Sequence, residues 1–279
     1  MKRSLAAVLQ MTSTAAVEAN LATVERLARR AAERGATLVV APENFAFIGD
    51  GSPAADERRL SIAESLPAGG PIIERMASLA AEIRAHLVLG AMPERCAGDA
   101  ARAHNTTVVL GPDGRVVTSY RKIHLFDVQF EKGPVVQESK TIAPGDAPAL
   151  CSLPDVTLGL TICYDLRFPE LFRTLALQGA EAFTVPSAFT LHTGKDHWEP
   201  LLRARAIENG CYVLAAAQWG FHTPQRASWG KSMIVDPWGT PLAIAPEGEG
   251  LAVAELDPDL LARVRKSLPT LGHVRLMTR

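Results

Sequence analysis

The segment VTLGLTICYDLRFPEL, residues 156–171, decides the fold that we expect for this chain. Its first part, Val156 to Ile162, is mostly apolar, which is typical of a strand buried on both faces of a sheet. Pro169 suits the first turn of a helix, because the N–H that proline lacks has no partner there in any case. The segment therefore predicts a strand, a corner at Cys163 and a helix.

Cys163 stands at this corner and is a candidate nucleophile. A thiol near a helix N-terminus meets partial positive charge and free N–H groups, which favour a thiolate and a developing oxyanion. The N–H of Tyr164 is placed to be one of those oxyanion donors. The same segment also fits a buried structural cysteine, because a free cysteine behaves as a small hydrophobic residue.

Strands and helices alternate on both sides of this segment. Many strands, only some of them joined by helices, predict one layered α/β domain over residues 1–279. Loops are expected at 49–56 and 123–148, where Gly, Pro, Asp or Ser interrupt the periodic pattern. We expect helices at 17–31, 71–84, 199–209 and 257–268, strands at 4–11, 37–43, 86–92, 181–187 and 212–218, and hairpins at 106–122 and around 237–239.

Composition limits the classes of function. The net charge of −1 gives no electrostatic footprint for nucleic acid or an anionic membrane. No apolar run approaches the about 18 residues of a membrane span, and the apolar stretch of residues 1–11 is too short and interrupted for a signal peptide. The four cysteines form no CxxC pair, so a reducing cytosol fits best, without a zinc ribbon or disulfide framework.

Two charged residues follow predicted strands in the same way as Cys163 does. Glu43 follows TLVVAP, and Lys122 follows VVTSYR. Strand ends gather at the functional edge of an open α/β sheet, so the three side chains could converge. Glu43 would then be the general base for amide cleavage through an acyl-enzyme, and Lys122 would hold the oxyanion. Singly, each also fits a solvated loop residue.

Other chemistries have less support in the sequence. A Cys–His dyad would need His124, His192 or His197 as the base. His192 and His197 lack the glutamate of HExxH, and His197 also fits a structural hydrogen bond near a helix start. We therefore expect no metal. The chain has no phosphate-binding glycine motif, so we also expect no nucleotide cofactor.

The order and spacing of several motifs resemble the nitrilase, or carbon–nitrogen hydrolase, superfamily over roughly residues 3–270. The motifs are PENF (42–45), YRKIHLFD (120–127), QES (137–139), ICYDLRFPEL (162–171), PSAFTLHTGKDHW (186–198), LLRARAIENGCYV (201–213) and SMIVDPWGT (232–240).

The resemblance implies a catalytic triad of Glu43, Lys122 and Cys163. It adds a second carboxylate at Glu138, which would hold Lys122 charged; from the residues alone, Glu131 and Glu138 look alike. It further implies a four-layer α-β-β-α sandwich that pairs into dimers or larger homo-oligomers through helices of one face.

Within the superfamily the chain is similar to the amidases that act on deaminated glutathione, as ENFAFIG (43–49), AAAQWGFH (215–222) and RASWGKS (226–232) indicate. The neighbouring ω-amidases, which act on α-ketoglutaramate and α-ketosuccinamate, are the first alternative. A true nitrilase or carbamoylase, or a non-catalytic metabolite-binding protein, are others. Two features depart from the family pattern: Lys231, where relatives often carry His, and the short segment 94–104.

Both candidate substrate types carry an α-keto acid, so the site must bind an anion. Arg167, four residues after Cys163, could grip the carboxylate with its planar guanidinium. Thr193 could add a hydroxyl. The alternatives are a surface or dimer salt bridge for Arg167 and a loop-capping hydroxyl for Thr193.

Overall fold

The computed structural model describes residues 1–129 and 135–276 of the chain. Within these ranges no helix has both the length and the apolar character needed to cross a bilayer. The helices are α1 (Val17–Glu33), α2 (Pro53–Ser61), α3 (Pro71–Ile83), α4 (Pro169–Leu177), α5 (Leu191–Asn209) and α6 (Pro258–Ser267).

The strands form two large sheets and one small hairpin. They are β1 (Ser4–Met11), β2 (Leu38–Val40), β3 (His86–Arg95), β4 (Ala103–Leu110), β5 (Val116–Arg121), β6 (Asp127–Gln129), β7 (Val135–Gln137), β8 (Ile142–Ala143), β9 (Ala149–Ser152), β10 (Thr157–Leu160), β11 (Ala182–Thr184), β12 (Tyr212–Ala215), β13 (Ala217–Thr223), β14 (Arg226–Trp229), β15 (Met233–Val235), β16 (Pro241–Ile244) and β17 (Gly250–Leu256).

The larger sheet has the order β14-β13-β1-β2-β3-β4-β5, with β17 also paired to β1 and β8 to β4. The smaller sheet has the order β16-β15-β12-β11-β10-β9, and β6 pairs with β7. In both large sheets the central strands run parallel, β1 with β2 and β3 in one and β10 with β11 and β12 in the other. Their carboxyl ends can therefore carry functional groups to a common edge.

The two faces of β1 show how the layers are built. Ala6 and Val8 pack in the cluster between the two sheets, whereas Ala7, Leu9 and Met11 pack against α1 and α3. This follows from the two-residue period of a strand, which sends successive side chains to opposite faces. Helices α4 and α5 cover the outer face of the smaller sheet. The layer order confirms the four-layer α-β-β-α sandwich.

The expected loop 49–56 ends earlier than predicted, because α2 begins at Pro53. Ser52 caps this helix: its Oγ accepts a hydrogen bond from the Ala55 N–H at 3.2 Å. A serine N-cap followed by proline is a strong local start signal. The Ser52-Pro53 pair therefore indicates the helix start, whereas the acidic and glycine-rich residues around it are more typical of a loop.

Helix α5 begins at Leu191, well before the expected start at Glu199. Thr190 caps it, with its Oγ1 accepting from the Thr193 N–H at 3.3 Å. Pro200 lies inside the helix, where proline usually interrupts the hydrogen-bond ladder. Tertiary packing overrides this preference, since Trp198 and Leu202 on either side of the proline are buried in the core.

The expected loop 123–148 contains more structure than its lack of periodicity suggested. The hairpin of β6 and β7 lies within it, a one-turn 3-10 helix at Glu138–Lys140 follows, and β8 joins the larger sheet. Residues 130–134 lie outside the described residues. Glu138 therefore directly follows β7, the second strand of the β6–β7 pair.

Candidate active site

The structure places Glu43, Lys122 and Cys163 in contact with one another. Each follows the end of a strand: β2, β5 and β10. Lys122 Nζ lies 3.0 Å from Glu43 Oε1. The charges of Glu43 and Lys122 both act on the Cys163 thiol. Groups from both sheets therefore share one small buried site.

Glu43 reaches this position because the chain passes very close to β3. A Cβ atom at Gly90 would clash with the backbone of Ala41 and Pro42, so glycine is required for this approach. The backbone of Glu43 pairs with Ala91, and its carbonyl oxygen accepts a hydrogen bond from Gln218 Nε2 at 3.0 Å. Both contacts fix the direction of the carboxylate.

Glu43 is 3% exposed, and both oxygens of its carboxylate accept hydrogen bonds. Besides Lys122, its Oε1 accepts from Asn105 Nδ2 at 3.0 Å, and its Oε2 accepts from the Ala188 N–H at 3.0 Å. Asn105 Nδ2 also lies 3.4 Å from Glu138 Oε1, so this amide bridges the two carboxylates. Sequence reasoning missed Asn105, although a polar HNTT run inside the buried strand β4 was an available signal.

Glu138 is the second carboxylate beside the lysine. Lys122 Nζ lies 2.9 Å from its Oε2 and 3.0 Å from its Oε1. The Phe126 N–H donates to Glu138 Oε2 at 2.7 Å, which holds the carboxylate in place. Glu131, the other glutamate that the residues alone left open, lies outside the described residues.

Lys122 is 2% exposed, so its charge depends on its neighbours. Burial by itself lowers the pKa of Lys122, but the charges of Glu138 and Glu43 outweigh it and hold that pKa well above its ordinary value. The lysine is therefore a permanent cation that can face a negative oxygen of a bound substrate.

Cys163 has an unusual backbone conformation. Its φ of +47° lies in the left-handed region, which costs a residue other than glycine on the order of 1–3 kcal/mol. Its N–H donates to the Pro186 carbonyl at 2.9 Å, and a one-turn 3-10 helix, Cys163–Arg167, begins there. Strained residues of this kind are concentrated at functional sites.

The expectation that a helix N-terminus favours the thiolate is wrong. Burial, and then the negative charge of Glu43, raise the pKa of the Cys163 thiol well above its ordinary value, although Lys122 acts in the opposite direction. The physical reason is that α4 begins only at Pro169, after the intervening 3-10 turn. The resting sulfur therefore keeps its proton, and the negative charge of Glu43 opposes its loss.

Asp165 organises the turn behind Cys163, and sequence reasoning missed it. It is fully buried and accepts hydrogen bonds from the Tyr120 hydroxyl at 2.7 Å, the Ile162 N–H at 2.8 Å and the His124 N–H at 3.1 Å. His124 Nδ1 lies 2.7 Å from the same carboxylate, and the ring stacks on Phe168. His124 is thus held by Asp165.

Arg167 ends the 3-10 turn. Its Nη1 lies 3.3 Å from His197 Nδ1, and its guanidinium lies 5.4 Å from the Phe189 ring centre and 5.9 Å from that of Tyr164. None of the ion pairs in residues 1–129 and 135–276 includes Arg167. The guanidinium is therefore positioned by rings and remains open to an anion.

Thr193 lies in the first turn of α5, with its hydroxyl 3.0 Å from that of Thr190. Thr190, and not Thr193, is the residue that caps the helix, and a role of Thr193 in substrate binding stays a prediction. The same holds for the N–H of Tyr164 as an oxyanion donor.

The remaining cysteines and the histidines give no second centre. Cys151 and Cys211 are buried core residues, and burial raises the pKa of each to about 11. Across the part of the chain that the structure describes, no three His, Cys, Asp or Glu side chains are grouped as metal ligands.

This fold and this Glu–Lys–Cys site define a class of hydrolases. The sequence profile of the carbon-nitrogen hydrolase family matches residues 5–266, and the chain belongs to this family. It is a hydrolase that acts on carbon–nitrogen bonds other than peptide bonds. The resemblance that the motifs predicted is thereby confirmed.

Comparison with individual proteins shows which members of the family the chain is similar to. The deaminated glutathione amidase of Synechocystis sp. (strain PCC 6803 / GT-S) is 45% identical over 98% of this chain and 98% of its own length. The Homo sapiens protein of the same name is 44% identical over 97% of this chain and 82% of its own. Among solved structures, Saccharomyces cerevisiae Nit3, a member of branch 10 of the nitrilase superfamily, has a TM-score of 0.84 at 31% identity and covers 96% of this chain and 95% of its own.

Proposed function

We propose that this protein is a cysteine-dependent amidase that cleaves deaminated glutathione into cysteinylglycine and 2-oxoglutarate. The observation that carries the chemistry is the buried carboxylate of Glu43, which lies 3.0 Å from Lys122 Nζ and whose charge acts on the thiol of Cys163. The choice of substrate is supported by the relatives of that name, which are 44% to 45% identical over nearly the whole chain.

In the first half of the proposed reaction, the sulfur of Cys163 attacks the amide carbon while Glu43 accepts the thiol proton. The carbonyl oxygen becomes an oxyanion, which Lys122 Nζ and the N–H of Tyr164 stabilise. Glu43 then gives the proton to the amide nitrogen as the carbon–nitrogen bond breaks. Cysteinylglycine leaves, and the acyl group stays on sulfur as a thioester.

In the second half, Glu43 takes a proton from water, and the resulting oxygen nucleophile attacks the thioester carbon. The carbon–sulfur bond breaks, the proton returns to sulfur, and 2-oxoglutarate leaves. Glu138 acts throughout by keeping Lys122 charged, since it holds Nζ at 2.9 and 3.0 Å. This proposed metabolite-repair reaction uses groups of the protein and one water molecule.

A side-by-side rate measurement tests the substrate. We expect kcat/KM to be higher for deaminated glutathione than for α-ketoglutaramate, when both are assayed with the same enzyme preparation. A higher value for α-ketoglutaramate would favour the ω-amidase alternative and contradict the proposal. Turnover of neither amide by folded protein would favour a binding protein instead.

Replacing Arg167 tests recognition of the keto acid. We expect Arg167→Lys to raise KM for keto-acid amides about 10-fold with little change in kcat, because a two-pronged guanidinium becomes a point charge. Arg115→Lys, at an arginine whose side chain is 87% exposed, is the matched control and should leave KM unchanged. An unchanged KM in Arg167→Lys would remove this residue from the substrate site.

We further propose that the protein is cytoplasmic and forms homodimers or larger homo-oligomers. The four cysteines are all free, which fits a reducing compartment. Leu177 on α4, Ile207 on α5 and the neighbouring Trp238 are 45%, 49% and 57% exposed. Apolar side chains exposed on one helical layer support self-association through that layer.

A further inference from the structure

Two arginines from distant parts of the chain meet beside the catalytic groups. Arg59 lies on α2, and Arg226 begins β14. Both are half-buried. Ion pairs near the site involve Lys122 and Arg121, and none in the described residues includes Arg59 or Arg226. The pair therefore has no carboxylate partner in the described part of the chain.

The hydrogen bonding of the pair is incomplete. Arg226 Nη1 donates to the Gly49 carbonyl at 3.3 Å, and Arg59 Nη1 lies 3.5 Å from Asn44 Oδ1. The Nε of Arg59 is buried and has no hydrogen-bond partner among the described residues. A buried guanidinium nitrogen without an acceptor is costly, because it has lost water and gained nothing in exchange.

The electrostatic interaction between the two arginines also favours a bound anion. Burial, and then the positive charge of Arg59, lower the pKa of Arg226 below its ordinary value. Two like charges in a partly buried region repel each other strongly, because water screens them poorly there. A bound anion between the two guanidiniums would satisfy the open donors and relieve this repulsion.

The pair lies next to the reaction centre but apart from Arg167. Arg59 contacts Asn44, the residue after Glu43, and Glu43, Glu138 and Cys163 all act on the charge of Arg226. Arg167 has different neighbours, the rings of Tyr164, Phe189 and His197, whereas Arg59 and Arg226 contact Asn44 and Gly49. Arg167 and the arginine pair therefore face different residues of the described chain.

We propose that Arg59 and Arg226 form a second carboxylate subsite, so that the enzyme selects amides that carry two carboxylates. This inference rests on the proposed function. Deaminated glutathione has one carboxylate on its keto-acid end and one on the glycine of its leaving group, whereas α-ketoglutaramate has only the first. Arg167 binds the keto-acid carboxylate, and the arginine pair binds the carboxylate of the leaving dipeptide.

The test compares Arg59→Gln, Arg226→Gln and Arg226→Lys on three substrates: deaminated glutathione, α-ketoglutaramate and a neutral short-chain amide such as butyramide. We expect each glutamine variant to lower kcat/KM for deaminated glutathione about 10- to 100-fold more than for the other two amides, as for loss of a charge-assisted hydrogen bond. Arg226→Lys should keep part of this preference. Arg58→Gln, at an exposed arginine of the same helix α2, is the matched control and should behave as wild type.

Binding without turnover gives a second measurement. In a Cys163→Ala background, calorimetry should show that Arg226→Gln weakens binding of deaminated glutathione by a similar factor. Equal losses on all three amides would mean a structural role and overturn the inference, as would no loss at all. Equal losses on the two keto-acid amides alone would overturn the assignment to the leaving group.

Failure of the inference is distinguishable from failure of the proposed function. If wild-type enzyme hydrolyses deaminated glutathione and the arginine variants keep its substrate preference, only the second subsite is wrong. If wild-type enzyme does not hydrolyse deaminated glutathione, the proposed function is wrong and the inference fails with it.

Discussion

Replacing Cys163 with alanine is expected to abolish turnover, with kcat at least about 10⁴-fold lower, since loss of a covalent nucleophile removes the reaction path itself. The fold should survive. Alanine fits the space of cysteine, and the left-handed backbone at φ +47° costs it no more than it costs the native residue. Activity assays and thermal unfolding on the same preparation measure both effects. Cys163→Ser should also be inactive, because its hydroxyl is a poorer nucleophile.

Cys151→Ala is the matched control for Cys163→Ala. Cys151 lies 2% exposed in the same hydrophobic cluster between the sheets, but none of the contacts around Glu43 involves it. This variant should lose on the order of 1 kcal/mol of unfolding free energy and keep its rate. Wild-type activity in Cys163→Ala, or lost catalysis in folded Cys151→Ala, would contradict the assignment of the nucleophile.

Lys122→Met is expected to have the largest combined effect on activity and stability. It leaves the carboxylates of Glu43 and Glu138 facing each other without the cation that lies 2.9–3.0 Å from both. Removing one partner of a buried ion pair costs about 3–5 kcal/mol. Loss of one oxyanion donor costs about 10²–10³-fold in kcat. Denaturant unfolding and kinetic assays measure the two effects separately.

Two further variants separate charge from packing at this position. Lys140→Met, at an exposed lysine at the end of the 3-10 turn that carries Glu138, should change neither quantity. The double variant Lys122→Met with Glu138→Gln should recover part of the stability, because one buried negative charge is removed, but not the activity. Wild-type stability in Lys122→Met would contradict the view that this lysine balances the two carboxylates.

The convergence of Glu43, Lys122 and Cys163 could be anticipated because each follows a strand within three residues, and strand ends in layered α/β folds point to a shared edge. Glu138 could not be chosen from physics alone. It follows an irregular segment, and nothing local distinguishes it from Glu131. Only similarity to a known motif singled it out, and the structure then placed it 2.9 Å from Lys122.

The protonation state of the nucleophile could be deduced only from the tertiary structure. The residues around Cys163 suggested a helix N-terminus that would favour a thiolate. In the structure the helix starts later, and burial together with Glu43 raises the pKa of the thiol. A pKa depends on the distances to charges and on the loss of water, and neither is contained in a local pattern.

The chain itself determined the layered architecture, through the two-residue period of strands such as β1 and the apolar stripe of α1, which dictate what each face must bury. It also supplied the residue types that the proposed reaction uses: a sulfur nucleophile, a carboxylate base and a cation. Only the tertiary structure decided how these groups interact: the bridging of Asn105, the support of Asp165 and the meeting of Arg59 with Arg226. Such contacts join residues that are remote along the chain, and their energies depend on burial that arises only when the layers pack.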